Sequence, residues 1–237
     1  SILELADRIV VRSEGDRTSD SLDGLEASFD QDPAFDYLET RGSELHLNFT
    51  DATSLKALLD DVGGRKLLGV NLRPLWAKYA GKGYDMGAVT ESFLDQLAEG
   101  LKELNERLGG TLTVVSFPMN PDQYGFSDLE SAQLLEERLA GEVDHRIWEA
   151  EPGIDAVLSL LRKLDAVLAM RFHACIFSLS QDTPTFGIDY SLGQQGKVGK
   201  LLSEAGYQDR LTKMESLTAN WVANSLEPIL TEELVEQ

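Results

Sequence analysis

From residue 66 onward the chain alternates short apolar, β-branched runs with segments of helical period, about five times over. "KLLGVNLRP" reads as a strand that turns at Pro74. "GAVTESFLDQLAEGLKELNERLGG" sets Val89, Phe93, Leu97, Leu101, Leu104 and Leu108 at helical spacing and stops at Gly109-Gly110. "TLTVVSFP" is a buried strand, and "SDLESAQLLEERLAG" a helix with a Ser127 to Glu130 capping box and a stop at Gly141. "EVDHRIWEA", "DAVLAM" and "TPTFGIDY" complete the strands, with helices "GIDAVLSLLRKL", "FHACIFSLSQ" and "GKVGKLLSEAG" between and after them. Such alternation predicts an α/β fold, a Rossmann-like doubly wound parallel sheet with helices on both faces.

The ends depart from this pattern. "ADRIVVRS" reads as a strand, "DRTSDSL" as a helix start and "DQDPAF" as a turn, so residues 1–40 are expected to be the end of a preceding α/β lobe. Residues 41–65 are expected to be a linker with a helix in it, 66–215 the main lobe, and 216–237 an amphipathic helical tail carrying Trp221 and broken at Pro228. The chain starts without Met in what reads as structured sequence. The expectation is that an N-terminal portion precedes it.

Charge narrows the partners. Forty-one acidic against 21 basic residues give a formal net charge of −20. Such a surface repels phosphate backbones, which argues against nucleic acid as a partner. No apolar run has the length of a membrane span, and the start lacks the basic and cleavable features of a leader, so a cytoplasmic protein, at most lying at the inner face of the membrane, is expected. The one cysteine, Cys175, lies in an apolar run and reads as a buried small hydrophobe. No zinc-like spacing, no Gly-x-Ser-x-Gly elbow and no Gly-x-Gly-x-x-Gly after a strand is present; "GGRKLLG" precedes its strand. No metal site is expected.

In an acidic chain, a cation embedded in apolar sequence is informative. "LDAVLAMRFHACIFSLS" sets Arg171 and His173 inside such a run, and a charge buried there without a partner costs several kcal/mol, roughly. In doubly wound sheets ligands lie beyond the carboxyl ends of the strands. The residues predicted there are Asn71, Arg73 and Pro74; Pro118, Met119, Asn120 and Asp122; Arg171 and His173; and Asp189 and Tyr190, with Lys197 on the next helix. Arg171 and His173 also open a helix, where free N–H groups favour an anion. Plainer roles exist for each: Arg73 a surface ion pair, Arg171 the partner of a neighbouring Asp, His173 a satisfied half-buried ring, Lys197 a solvated helix residue, Asp189 a brace for local backbone. His46 and His145 lie among charges and read as facing solvent.

"LGVNLRP", "VVSFPMNPDQ", "DAVLAMRFHACIFSLSQDTPTFGIDYSLGQQGKVGKLLSEAG" and, near the start, "ADRIVVRSEGDRTSDSL" with "DQDPAF" together resemble the polysaccharide pyruvyl transferase family. The strongest element is an Arg-Leu-His-Ala-like signature, here Met170-Arg171-Phe172-His173-Ala174 with Phe172 in place of Leu, followed by Pro184, Asp189-Tyr190 and Lys197. The resemblance implies a two-lobed fold like that of GT-B glycosyltransferases, with most of the N-terminal lobe absent from this chain. It implies transfer of a pyruvyl group from phosphoenolpyruvate to a hydroxyl pair of a sugar in a surface polysaccharide, exopolysaccharide or cell-wall glycan, or its precursor. Arg73 and Arg171, with Asn71 and Lys197, would bind phosphoenolpyruvate. His173 would serve as acid/base, imidazole being the side chain whose charge changes nearest neutral pH. Asn120, Asp122, Asp189 and Tyr190 would border the acceptor, and no cofactor is called for.

Two other readings use the same residues. A glycosyltransferase would hold the diphosphate of a nucleotide sugar at Arg171 and the helix start. A non-catalytic module would retain the anion pocket alone, since fold does not decide function.

Overall fold

The computed structural model describes residues 9–11, 27–29, 34, 37–38, 44–74, 83–120 and 127–232. It has two compact units, 1–44 and 45–237. In the smaller, strands β1 (Ile9–Val11) and β2 (Ala27–Phe29) pair in parallel. The expected helix start at "DRTSDSL" and most of the "DQDPAF" turn lie outside the described residues.

The larger unit carries a six-stranded sheet: β3 (Lys66–Asn71), β4 (Leu112–Ser116), β5 (Asp144–Ile147), β6 (Ala166–Ala169), β7 (Thr185–Asp189) and β8 (Leu211–Lys213). All pairings are parallel, in the order β5-β4-β3-β6-β7-β8. This is the Rossmann order 3-2-1-4-5-6 when strands are counted from β3. The direction of winding reverses between β3 and β6, where Asn71 pairs with Ala169. The central strands read as continuous apolar runs because helices cover both faces: every residue of β4, β6 and β7 is buried.

The helices are α1 (Phe49–Leu58), α2 (Met86–Arg107), α3 (Asp128–Leu139), α4 (Ile154–Leu161), α5 (Phe172–Ser180), α6 (Lys197–Glu204) and α7 (Ala219–Thr231). Helices α2, α3 and α7 form one contacting group, and α1, α4, α5 and α6 form another. Helix α2 begins where the Asp85 carboxylate accepts from the Gly87 and Ala88 N–H groups at 3.0 and 3.2 Å. Its Phe93, Leu97, Leu101 and Leu104 are buried, as their spacing predicts. Ser127 caps α3 by accepting from the Glu130 N–H at 3.2 Å. That helix turns left-handed at Ala140, with φ 50°, one residue before the expected stop at Gly141.

Two elements differ from the sequence reading. Strand β8 was not expected; its three residues are half-exposed and carry no apolar run. Helix α7 is not broken at Pro228, which lies inside it. Pro228 occupies the exposed face of the helix, where the carbonyl it frees can turn to water. On the other face Val222, Ala223, Leu226 and Leu230 pack against α2. The approach is close enough that a Cβ on Gly100 would stand 2.6 Å from Val222 Cβ and 2.8 Å from the Ala219 carbonyl oxygen. Glycine is therefore required there by the neighbouring backbone. Helix α1, expected inside a linker, packs on α4 in the larger unit.

Candidate functional site

The reversal point between β3 and β6 sets the geometry. With Asn71 paired to Ala169, Arg73 and Arg171 leave neighbouring strands at the same level, two residues on. Arg73 extends toward the end of β7, where its guanidinium carbon lies 4.2 Å above the Tyr190 ring, a cation–π contact. Arg171 is the N-cap residue of α5, and no side chain caps the first turn behind it. His173 lies in that turn and is exposed. Its ring is stacked on Phe177 (centroids 6.2 Å apart, planes 29° apart) and edge-on to Phe172.

Arg171 is held by a residue the sequence reading did not single out. The Asp128 carboxylate, 1% exposed, accepts from Arg171 Nε at 2.7 Å and Nη2 at 2.5 Å. Its Oδ2 also accepts from the Met119 and Asn120 N–H groups, both at 3.1 Å. One buried carboxylate thus joins the loop after β4, the start of α3 and the start of α5. The plainer reading of Arg171, partner to an Asp, is what this geometry contains. It does not consume the fork: Asp128 uses the Nε–Nη2 edge, and the edge carrying Nη1 is the one an anion would take.

The other residues expected at the site divide. Asn71 is fully buried and donates from Nδ2 to the Phe117 carbonyl at 2.7 Å, so it braces the loop after β4; its Oδ1 is buried with no hydrogen-bond partner among the described residues. Asp189 is 1% exposed and accepts from the Ser191 N–H at 3.1 Å and the Gly196 N–H at 2.6 Å. It orders the β7–α6 turn, and Gly196 and Gly199 pack against it so closely that a Cβ on either would fall 2.4 Å from a carboxylate oxygen. Lys197 opens α6 and is exposed. Asn120 is half-buried on the wall of a cleft. Asp122 lies outside the described residues.

Cys175 is buried, and burial pushes its thiol up to about 12, which suits a small core residue and not a nucleophile. No group of three or more His, Cys, Asp or Glu set to hold a metal occurs among the described residues. No helix among them is long and apolar enough to cross a membrane.

His46 is exposed, as expected. His145 is not. It lies half-buried on β5, with Nε2 2.8 Å from Ser116 Oγ and Nδ1 buried without a hydrogen-bond partner among the described residues. Burial lowers its pKa to about 4, against the raising effect of the neighbouring Asp144 charge. The charges of Asp144 and Arg146 on either side suggested an exposed ring, but in a strand the residue between two others points to the opposite face. Because the unfolded chain takes up this proton near pH 6.5 and the folded chain near 4, the neutral ring's contribution is complete above about 6.5 and is lost as pH falls toward 4. The loss is expected to reach up to ~3 kcal/mol across that window. Urea unfolding of the wild type and His145→Gln at pH 7 and 4.5 checks it: the wild type should lose more stability on acidification, and equal losses would assign acid sensitivity to other groups.

Residues 112–191, from β4 to just beyond β7, match the model of the polysaccharide pyruvyl transferase family. The match takes in Asp128, Arg171, His173, Asp189 and Tyr190. Among solved structures, the chain is similar to trehalose-6-phosphate synthase OtsA, with TM-score 0.53 and 12% identity, covering 98% of this chain and 55% of that one. It is also similar to a UDP-forming α,α-trehalose-phosphate synthase from Burkholderia vietnamiensis, with TM-score 0.52 and 13% identity, covering 96% of this chain and 55% of that one. Identities this low bear on the fold, which is Rossmann-like and GT-B-like as expected. The chain spans about half the length of each of these two proteins. No curated protein matches it. The family match supports a transferase.

Proposed function

We propose, from the match of residues 112–191 to the polysaccharide pyruvyl transferases, that this chain carries the donor site of an enzyme that moves a pyruvyl group from phosphoenolpyruvate onto two hydroxyls of a glycan or its precursor. The observation that carries the reading is that Arg73 and Arg171 follow two neighbouring strands at the same level at the reversal point of the sheet, with the exposed His173 in the next helical turn, in a chain of net charge −20. Positive charge is scarce in this protein, and Arg73 and Arg171 stand where doubly wound folds bind ligands.

Phosphoenolpyruvate sets a carboxylate and a phosphate on one three-carbon frame. Arg171, oriented by Asp128, and Arg73, lying over Tyr190, are the forks that would bind those two groups. The uncapped first turn of α5 adds N–H groups to the same anion. His173 gives a proton to the methylene carbon, which becomes the methyl group and leaves C2 electrophilic. One sugar hydroxyl adds to C2 and gives its proton to the His173 imidazole, restoring the acid. The second hydroxyl then displaces phosphate from C2 and closes the cyclic ketal, its proton leaving with the phosphate. One phosphoenolpyruvate and one diol therefore give one ketal and one phosphate.

Calorimetric titration of phosphoenolpyruvate tests the donor assignment. The wild type should bind, and Arg171→Lys, which keeps the charge but removes the fork, should bind about tenfold to a hundredfold more weakly. Binding of UDP with no binding of phosphoenolpyruvate would transfer the site to a nucleotide-sugar enzyme. Binding of neither would sink both donors.

A further inference from the structure

A cavity lies beside the loop whose amides bind the Asp128 carboxylate. It is a cleft of about 570 Å³ beyond the carboxyl ends of β4 and β5, between the first turns of α3 and α4. That volume is typical of a small-molecule site. Pro118, Ile154 and Phe177 contribute apolar walls, and Asn120, Glu149 and Glu151 polar ones. No Lys, Arg or His lines it among the described residues. Glu149 and Glu151 are exposed and make no ion pair or hydrogen bond among the described residues.

We infer that this cleft is the acceptor subsite and takes a neutral pyranose with two free hydroxyls; the acceptor role rests on the donor reading above. Two unpaired carboxylates repel phosphoenolpyruvate and nucleoside diphosphates, so the cleft is not an extension of the anion site. Ionised carboxylates are acceptors only, and adjacent sugar hydroxyls supply paired donors to them. Apolar and aromatic walls suit the C–H face of a sugar ring, and ligand sites combine such walls with a few placed polar groups.

Its position fits the chemistry. Phe177 lines the cleft and is stacked on His173, so a single aromatic ring separates the cleft from the proposed acid. Asn120 lines the cleft with its neighbour Met119, and the N–H groups of both donate to the carboxylate that grips Arg171. Donor and acceptor would share a wall built from the loop after β4 and the start of α5. A diol held by Glu149 and Glu151 would thereby be presented toward the donor's C2.

The test is saturation-transfer NMR on the whole 237-residue chain with methyl β-D-galactoside, methyl β-D-glucoside and methyl β-D-mannoside, with D-galacturonate as the anionic counterpart and uridine as the nucleoside control. At least one glycoside should saturate, and galacturonate should bind about tenfold more weakly than galactoside. The double variant Glu149→Gln, Glu151→Gln should weaken glycoside binding about tenfold and remove the penalty on galacturonate, while phosphoenolpyruvate affinity stays within about twofold. Ile154→Arg, at a position 44% exposed and tolerant of a charge, should block the cleft without unfolding the chain. Glycoside binding indifferent to these variants, or none at all, overturns the inference. Uridine binding that the double variant abolishes overturns it in favour of a nucleoside pocket. Phosphoenolpyruvate binding without glycoside binding sinks the cleft alone; glycoside binding without phosphoenolpyruvate binding sinks the donor reading, and the acceptor role with it.

Discussion

Asp128→Ala is expected to lower the unfolding free energy by about 3 kcal/mol, which is a fall in Tm of about 6–12 °C. The carboxylate is 1% exposed and accepts four hydrogen bonds, two from Arg171 and two from backbone N–H groups of the loop after β4. Removing one member of a buried pair leaves the other charge without compensation, which typically costs ~3–5 kcal/mol. The lower end applies because the Arg171 side chain retains 21% of its exposure and can recover some water. The two loop amides lose their acceptor as well. Asp128→Asn keeps an acceptor oxygen and the side-chain volume, and should recover roughly half of the loss. Chemical and thermal melts of the three proteins decide the matter. An unchanged Asp128→Ala midpoint would mean that the Asp128–Arg171 pair is no better than water for either partner.

His173→Gln is expected to reduce phosphate release from phosphoenolpyruvate by about 10²–10⁴-fold, while donor affinity changes by no more than about threefold. Glutamine fills similar space but does not supply a proton at the acidity that carbon protonation requires. The substitution should fold well, since the ring is exposed. Phosphate release in the full protein with a glycan acceptor, run in deuterium oxide, reports turnover and the label in the product methyl group together. A Gln variant that turns over at the wild-type rate would remove His173 as the acid and return the role to solvent or another group.

The layer architecture was legible because two periods alternate. Leu97, Leu101 and Leu104 recur at helical spacing and are buried on α2, and "LTVVS" is apolar throughout because β4 is covered on both faces. What escaped notice depends on groups far apart in sequence. Asp128 follows the capping Ser127, where an acid ordinarily serves the helix dipole in solvent; its inward turn is set by Arg171, 43 residues away. His145 sits between two charged neighbours, yet strand geometry turns it the other way. Strand β8 has no apolar signature because an edge strand is half covered. Among the expected site residues, Asn71 and Asp189 lie at the expected edge of the sheet, but Asp189 accepts from two backbone N–H groups and the Asn71 Nδ2 donates to the Phe117 carbonyl. Position at a strand end therefore selected the neighbourhood, and burial decided which side chains in it are exposed.

The packing of α7 on α2 has a consequence for the order in which the protein forms. The Arg107–Asn224 and Gln96–Ala219 hydrogen bonds join residues 117 and 123 positions apart. At ~5–20 residues synthesised per second, the outer face of α2 waits roughly 6–25 s for its cover to leave the ribosome. The groove that Gly100 opens for the backbone of α7 stands bare throughout that interval. During it the nascent chain must stay soluble with an apolar helix face uncovered, and its large excess of negative charge opposes association with other emerging chains. Emergence of α7, and not that of the sheet, then sets the moment at which this half of the core can close.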